Sequence, residues 1–88
     1  MIDWHYFKEE LDLVPSTKGV YLLADDHHNV IFIETAKDLK KELSRQPDSQ
    51  NYCLLGKNIG YFAFEEDPNP ENRKAKLVSQ YNPECNND

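Results

Sequence analysis

Two short apolar runs joined by a polar stretch constrain this chain more than any other feature. The runs are GVYLLA at residues 19–24 and NVIFIE at residues 29–34, and both are rich in β-branched and aromatic side chains. The polar stretch from Asp25 to Asn29 separates them. Because such runs bounded by turn-forming residues are typical of paired strands, the sequence predicts a β-hairpin.

The chain length limits what can surround this hairpin. The sequence has 88 residues, and a chain of this size buries roughly 60 to 65% of its unfolded surface. We therefore expect one domain over residues 1–88, with its core in about 11–86 and a frayed tail at 86–88. Any functional site must lie on a face or in a shallow groove.

Helices and a further strand are predicted on both sides of the hairpin. Spacings of three and four residues predict an N-terminal helix at 3–12, a second helix after Thr35 and a last helix from Glu71 to about Gln80. The expected buried positions of these helices are Trp4, Phe7 and Leu11, then Ala36, Leu39 and Leu43, and then Ala75, Leu77, Val78 and Tyr81.

The segment NIGYFAFEE predicts a third strand that is apolar on both faces and hence central in the sheet or covered by another element, while residues 46–57 stay unassigned. The fold class is α/β, a small sandwich with a three-stranded, mainly antiparallel sheet flanked by helices.

The charge balance bears on possible partners. The formal net charge is −6, which disfavours general binding to nucleic acids or anionic membranes, because both depend on Lys and Arg. The longest apolar run, residues 20–24, is too short to span a bilayer. Cys53 and Cys85 have no metal-binding spacing and are predicted to be reduced thiols in a cytoplasmic protein. A protein partner is expected, and the exposed aromatics near Tyr52 and Tyr81 are one possible contact surface.

Two polar patterns have both a functional and a structural interpretation. His27 and His28 follow two aspartates, but adjacent side chains diverge, so a polar turn is favoured over a metal site. Lys37, Lys41 and Arg45 fall at helical spacing within residues 34–45, which carry a net charge of +1, whereas residues 1–33 carry −4 and residues 46–88 carry −3. They are a possible phosphate or partner face. A solvated helix with Asp38–Lys41 and Glu42–Arg45 pairs is the favoured interpretation.

Several strings in this order resemble the GIY-YIG nuclease family, especially the N-terminal domain of the bacterial excision-repair endonuclease. The strings, which span about Leu11 to Asn86, are GVY at 19–21, IFIE at 31–34, AKDLKKEL at 36–43, IGYFAF at 59–64 and PECN at 83–86. The resemblance implies the GIY-YIG fold. It also implies metal-dependent phosphodiester cleavage by a tyrosine near the nucleophile, an arginine and a metal-binding glutamate.

The family's site positions are largely substituted here. Tyr21 matches the first motif tyrosine, and Asn86 matches the closing asparagine. Phe32 stands at the second tyrosine and Glu34 at the YIG glycine. The arginine position falls on Glu42 and the metal-binding glutamate position on Lys74, so these two charges are exchanged. If the two side chains face one another, they can form an ion pair of reversed polarity.

These substitutions predict a GIY-YIG-like domain without nuclease activity, which acts as a binding or regulatory module and has no metal cofactor. Tyr21 is then interpreted mainly as a strand aromatic that packs against the sheet. The alternative is a divergent nuclease in which Glu34, Glu42 and Glu71 hold Mg²⁺ or Mn²⁺ in a rearranged carboxylate site.

Overall fold

The protein is described by a computed structural model that covers residues 2–86. Within that range one antiparallel sheet contains four strands in the order β1-β4-β2-β3. The strands are β1 (His5–Tyr6), β2 (Gly19–Ala24), β3 (Val30–Ala36) and β4 (Tyr61–Glu66). The helices are α1 (Leu39–Ser44), α2 (Tyr52–Leu55) and α3 (Glu71–Tyr81), with two short 3-10 helices at Leu11–Leu13 and Glu84–Asn86.

The predicted hairpin and the predicted central strand are confirmed. β2 pairs with β3 so that Tyr21 lies opposite Glu34. On its other side β2 pairs with β4, which places Tyr21 opposite Phe64. Gly19 lies where β2, β4 and α1 come together. A Cβ added there would lie 2.1 Å from the carbonyl oxygen of Glu65, so only glycine fits.

The predicted N-terminal helix is wrong, and the sheet therefore has four strands rather than three. Residues 5–6 form the edge strand β1 against β4, and only Leu11–Leu13 turn into a 3-10 helix. Trp4 packs with the residues under α3, whereas Phe7 and Leu11 pack on the opposite core. The three side chains fit a helical spacing in the sequence, but the sheet sends them to different faces.

The other helices are found with shifted boundaries. α1 begins after Asp38, whose carboxylate accepts a hydrogen bond from the backbone N–H of Lys41, and not after Thr35, which lies in β3. α2 lies inside the unassigned segment 46–57. α3 agrees with the predicted last helix, although Ala75 is exposed. It ends at Asn82, which adopts a left-handed conformation with φ 48° before Pro83.

The two faces of the sheet are covered by different numbers of elements. One face packs against α1, α2 and the 3-10 helices in a core that includes Tyr21, Leu39, Leu43, Leu54 and Phe62. The other face carries Val20, Leu22, Ile33 and Ala63 under Leu77 of α3. In the described part of the chain, no helix is long and apolar enough to cross a membrane.

The prediction of two reduced cysteines is wrong. Cys53 of α2 and Cys85 of the second 3-10 helix form a disulfide, with Cα atoms 5.5 Å apart. The pairing was not visible in the sequence because it depends on the fold bringing together residues 32 positions apart. Since disulfides are rare in the cytosol of most cells, the argument for a cytoplasmic location no longer holds.

The expected frayed tail is also wrong at its first residue. The side-chain carbonyl oxygen of Asn86 accepts a hydrogen bond from the Ile33 N–H at 2.8 Å, and its amide donates to the Ile33 carbonyl oxygen at 2.7 Å. Residues 87–88 lie outside the described range. The second 3-10 helix is therefore attached to β3 by hydrogen bonds and to α2 by the disulfide.

Candidate functional site

Tyr21 is buried in the centre of the sheet. Its side chain is 2% exposed, and its hydroxyl oxygen accepts a hydrogen bond from the Gln46 side-chain amide at 3.3 Å. Burial raises the pKa of the phenol above its ordinary value, and the nearby carboxylates of Glu42 and Glu34 raise it further. A general base needs a pKa near the working pH, so this phenol is held in its protonated form.

The position of the second motif tyrosine holds Phe32 on β3. Its ring centroid lies 6.2 Å from that of Tyr21, and it packs against the same core. Phenylalanine has no hydroxyl group with which to orient a water molecule or a phosphate. The pair of rings thus contributes packing at this position.

Glu34 and Lys74 form an ion pair across the edge of the sheet. The Lys74 Nζ donates to Glu34 Oε1 at 2.6 Å, and that oxygen also accepts a hydrogen bond from the backbone N–H of Thr35. About a third of each side chain is exposed, 28% for Lys74 and 38% for Glu34. The pair brings together the two residues that the sequence resemblance aligned with the YIG glycine and with the metal-binding glutamate.

The side chains of Glu42 and Lys74 do not pair in the described structure. Glu42 instead accepts from Arg45 Nη1 at 3.1 Å, because Arg45 directly follows the end of α1, three residues after Glu42, and Lys74 is already held by Glu34. The predicted Glu42–Arg45 pair is confirmed. Asp38 contacts the backbone of Lys41 as a helix cap and forms no ion pair with it in the described structure.

A cleft of about 590 Å³ opens beside the Glu42–Arg45 pair, between the start of α1 and the start of α3. Lys37, Lys41 and Arg45 all line it, although Lys37 precedes the helix on which it was expected. The acidic side chains of Asp38, Glu42 and Glu71 line the same cleft. The basic stripe is therefore assembled on one surface, with carboxylates interleaved.

The alternative carboxylate site is not brought together in a form that could hold a metal. Glu34 is paired with Lys74, and Glu71 accepts a hydrogen bond from Thr35 Oγ1 at 3.4 Å. Within residues 2–86, no three or more side chains of His, Cys, Asp or Glu are grouped closely enough to bind a metal ion. That range includes the His27–His28 pair, which lies in a tight polar turn closed by Asp25.

Sequence reasoning missed three contributors to this region. Gln46, 5% exposed, bonds the Tyr21 hydroxyl and the Glu42 carbonyl oxygen. Its signal was the spacing that continues the buried positions Leu39 and Leu43. Lys18 lines the cleft, and Thr35 bonds Glu71. Neither residue has a sequence signal, because the sheet register alone places them there.

The strand order, the hairpin and the helix at the end of the chain together define a GIY-YIG-like fold. Among solved structures, the chain is similar to the GIY-YIG N-terminal endonuclease domain of UvrC from Thermotoga maritima, a point mutant bound to its catalytic divalent cation. The TM-score is 0.68 and the identity 23%, over 89% of this chain and 96% of that one. No protein-family model matches the sequence, and neither does any curated protein.

Proposed function

We propose that this chain is a catalytically inactive GIY-YIG-like domain that serves as a binding or regulatory module for a protein partner. One observation carries the proposal: Lys74 at the metal-ligand position donates a hydrogen bond at 2.6 Å to Glu34 at the YIG-glycine position. A cationic ammonium group has no lone pair for Mg²⁺, and it neutralises the carboxylate beside it.

The electrostatics of the phosphate-facing side support the same proposal. Glu34 and Glu42 place negative charge where the fold would receive a phosphodiester. Each close contact with a phosphate would cost about 1 to 4 kcal/mol, depending on the local dielectric. Arg45 is engaged by Glu42, so the guanidinium nearest to Tyr21 is partly neutralised as well.

The protonation state of Tyr21 also supports the proposal that the domain is inactive. The hydroxyl group is buried, hydrogen-bonded to a side-chain amide and shifted to a higher pKa by burial and by carboxylates. Activation of a water molecule would require a more acidic phenol or an exposed oxygen. Tyr21 thus serves the core, together with Phe32 and Phe64.

A nuclease assay tests the proposal directly. The purified protein is incubated with branched, single-stranded and duplex DNA in Mg²⁺ or Mn²⁺, and we expect no cleavage. Metal-dependent cleavage that disappears in Tyr21→Phe would overturn the proposal in favour of the divergent nuclease. The assay is run in parallel with EDTA, which separates metal-dependent cleavage from contamination by metal-independent enzymes.

A metal titration with a matched pair of variants sharpens this test. Lys74→Glu restores a carboxylate next to Glu34 and Glu71, whereas Lys76→Glu makes the same charge change at an exposed position of the same helix. We expect calorimetric Mn²⁺ binding in Lys74→Glu and none in the wild type or in Lys76→Glu. Wild-type binding as tight as that of Lys74→Glu would contradict the proposal.

A further inference from the structure

The α3 face of the sheet is only partly covered. Within the described residues α3 packs over β2 and β3, with Leu77 buried and Val78 and Tyr81 packed at its side. Over β4 and β1, in the described part of the chain, this face carries side chains of the strands and is not packed against α3. That part carries aromatic residues, which the function proposed above does not use.

Four aromatic side chains form a continuous patch at this position. Tyr6 and Tyr61 lie opposite each other on β1 and β4, with ring centroids 5.4 Å apart. The His28 ring stacks on Tyr61 at 3.9 Å, and Trp4 meets His28 edge-on at 6.2 Å. Tyr6 is 57% exposed, and His28 is exposed too. We call these four residues the aromatic patch.

The turn that carries His28 holds its ring over Tyr61. The Asp25 carboxylate accepts hydrogen bonds from the backbone N–H groups of His27 and Asn29, both at 2.9 Å. His28 itself has φ 65°, a left-handed conformation that is uncommon for residues other than glycine but that histidine adopts more often than most. The backbone of the turn thus places the exposed His28 ring over Tyr61.

Negative charge dominates around the aromatic patch, although the flanking bases Lys8 and Lys57 line a hollow together with Asp26. The segments that supply the patch, residues 2–7, 20–34 and 58–66, contain no Lys or Arg, but they include Asp3, Asp25 and Asp26. Asp3 also lines a small hollow on the α3 face together with Glu65. The nearby base Arg73 is engaged by Glu65 in two hydrogen bonds of 2.8 and 3.0 Å.

We propose that the aromatic patch binds an arginine-bearing peptide segment of a protein partner. The guanidinium group is planar, stacks on aromatic rings and pairs with carboxylates. The aromatic patch supplies the rings, and the aspartates in the same segments supply the carboxylates. Alternate residues of an extended peptide project to the same side about 7 Å apart. Two arginines at alternate positions therefore both fall on the aromatic patch, whose neighbouring ring centroids lie 3.9 to 6.2 Å apart. No residue lining the cleft belongs to the patch, so the inference is independent of the missing nuclease activity.

The single tryptophan makes the binding measurable without a label. Trp4 is the chain's only tryptophan and lies within the aromatic patch. A capped peptide with two arginines separated by one glycine is titrated while Trp4 fluorescence is followed. We expect a saturable change and at least about fivefold weaker binding of the same peptide with lysines, which keep the charge but lose the planar stacking.

Two variants and a control locate the binding. Tyr6→Ser removes the most exposed ring, and His28→Asn removes the stacked ring while keeping a residue that tolerates φ 65°. Each variant is expected to weaken binding about fivefold. Tyr52→Ser removes an 84% exposed ring from α2, on the other face, and should leave binding unchanged.

Other outcomes would overturn the proposal. These are equal binding of the lysine peptide, unchanged binding in both Tyr6→Ser and His28→Asn, an absence of saturable change, or tighter binding of a single-stranded oligonucleotide at Trp4. Circular dichroism of each variant confirms that it is folded. If Tyr6→Ser alone unfolds, His28→Asn decides the result.

Discussion

Two regions that meet at the consecutive β3 residues Ile33 and Glu34 are held together by different kinds of interaction. At the disulfide end, defined by α2 and the second 3-10 helix, Asn86 bonds both backbone groups of Ile33, and Cys85 is covalently joined to Cys53. At the cleft end, defined by Tyr21, Glu34, Glu42 and Lys74, half-exposed charges pair with each other. Cys85 and Ile33 at the first end are buried, whereas the ion pairs at the second end are partly exposed to water.

This difference separates stability from chemistry within one small domain. Buried contacts and a covalent closure contribute kilocalories per mole to folding, whereas exposed ion pairs typically contribute about 0 to 1 kcal/mol. Substitutions at the cleft end are therefore tolerated by the fold.

The largest expected effect is on the disulfide end. Replacing both Cys53 and Cys85 by alanine should lower the free energy of unfolding by about 2 to 4 kcal/mol, because the unfolded chain regains the freedom of the closed loop. Urea unfolding of the two proteins measures the difference. Reductant should destabilise the wild type but not the double variant. Equal stability of the two proteins in the absence of reductant would contradict the expectation.

Removal of the Asn86 side chain is expected to have the next largest effect. Asn86→Ala leaves the partly buried backbone groups of Ile33 without partners, which should cost about 1 to 3 kcal/mol. Thermal or urea unfolding measures the loss, with Asn72→Ala at an exposed position of α3 as the matched control. A loss no larger than that of the control would mean that water replaces the amide.

At the cleft end, Tyr21→Phe should change stability little at neutral pH but alter its dependence on alkaline pH. The folded pKa of Tyr21 lies above the unfolded value of about 10. The unfolded state therefore releases its proton first, and stability falls as the pH rises above about 10. Between neutral and alkaline pH, the free energy of unfolding should fall less for Tyr21→Phe than for the wild type. An identical pH dependence in the two proteins would contradict the raised pKa of the buried phenol.

The smallest effect is expected for Lys74→Gln, which removes the pair with Glu34. Both side chains are about one-third exposed, so the loss should be about 0 to 1 kcal/mol and smaller in high salt. Lys76→Gln on the same helix is the control, and urea unfolding at low and high salt measures both. A loss of several kilocalories per mole would mean that the pair is as structural as the disulfide end.

The sequence was sufficient where local pattern and tertiary packing agree. The hairpin, β4 and α3 follow from the alternation and spacing of apolar residues such as Val20, Leu22 and Leu77, all of which are buried. The resemblance also placed Tyr21, Glu34 and Lys74 in one region, because strand register carries residues of separate segments to the same edge. These predictions needed no knowledge of distant contacts beyond the order of the elements.

The sequence was insufficient where a distant segment decides the structure. Residues 4–11 have helical spacing, yet the free edge of β4 draws His5 and Tyr6 into a strand. The partner of Lys74 depends on which carboxylate its side chain can reach. Counting along the sequence pointed to Glu42, whereas in the fold the carboxylate within reach is that of Glu34. The aromatic patch was invisible for the same reason, since its four rings come from three separate segments.

The Asn86 amide has one more consequence, for self-association. β3 is an outer strand of the sheet, and a free outer strand is a template on which another chain can add a strand. By occupying both the N–H and the C=O of Ile33, Asn86 takes the place of such a neighbour at the middle of the strand. A strand added at this edge would therefore have to displace the Asn86 amide before it could pair with Ile33.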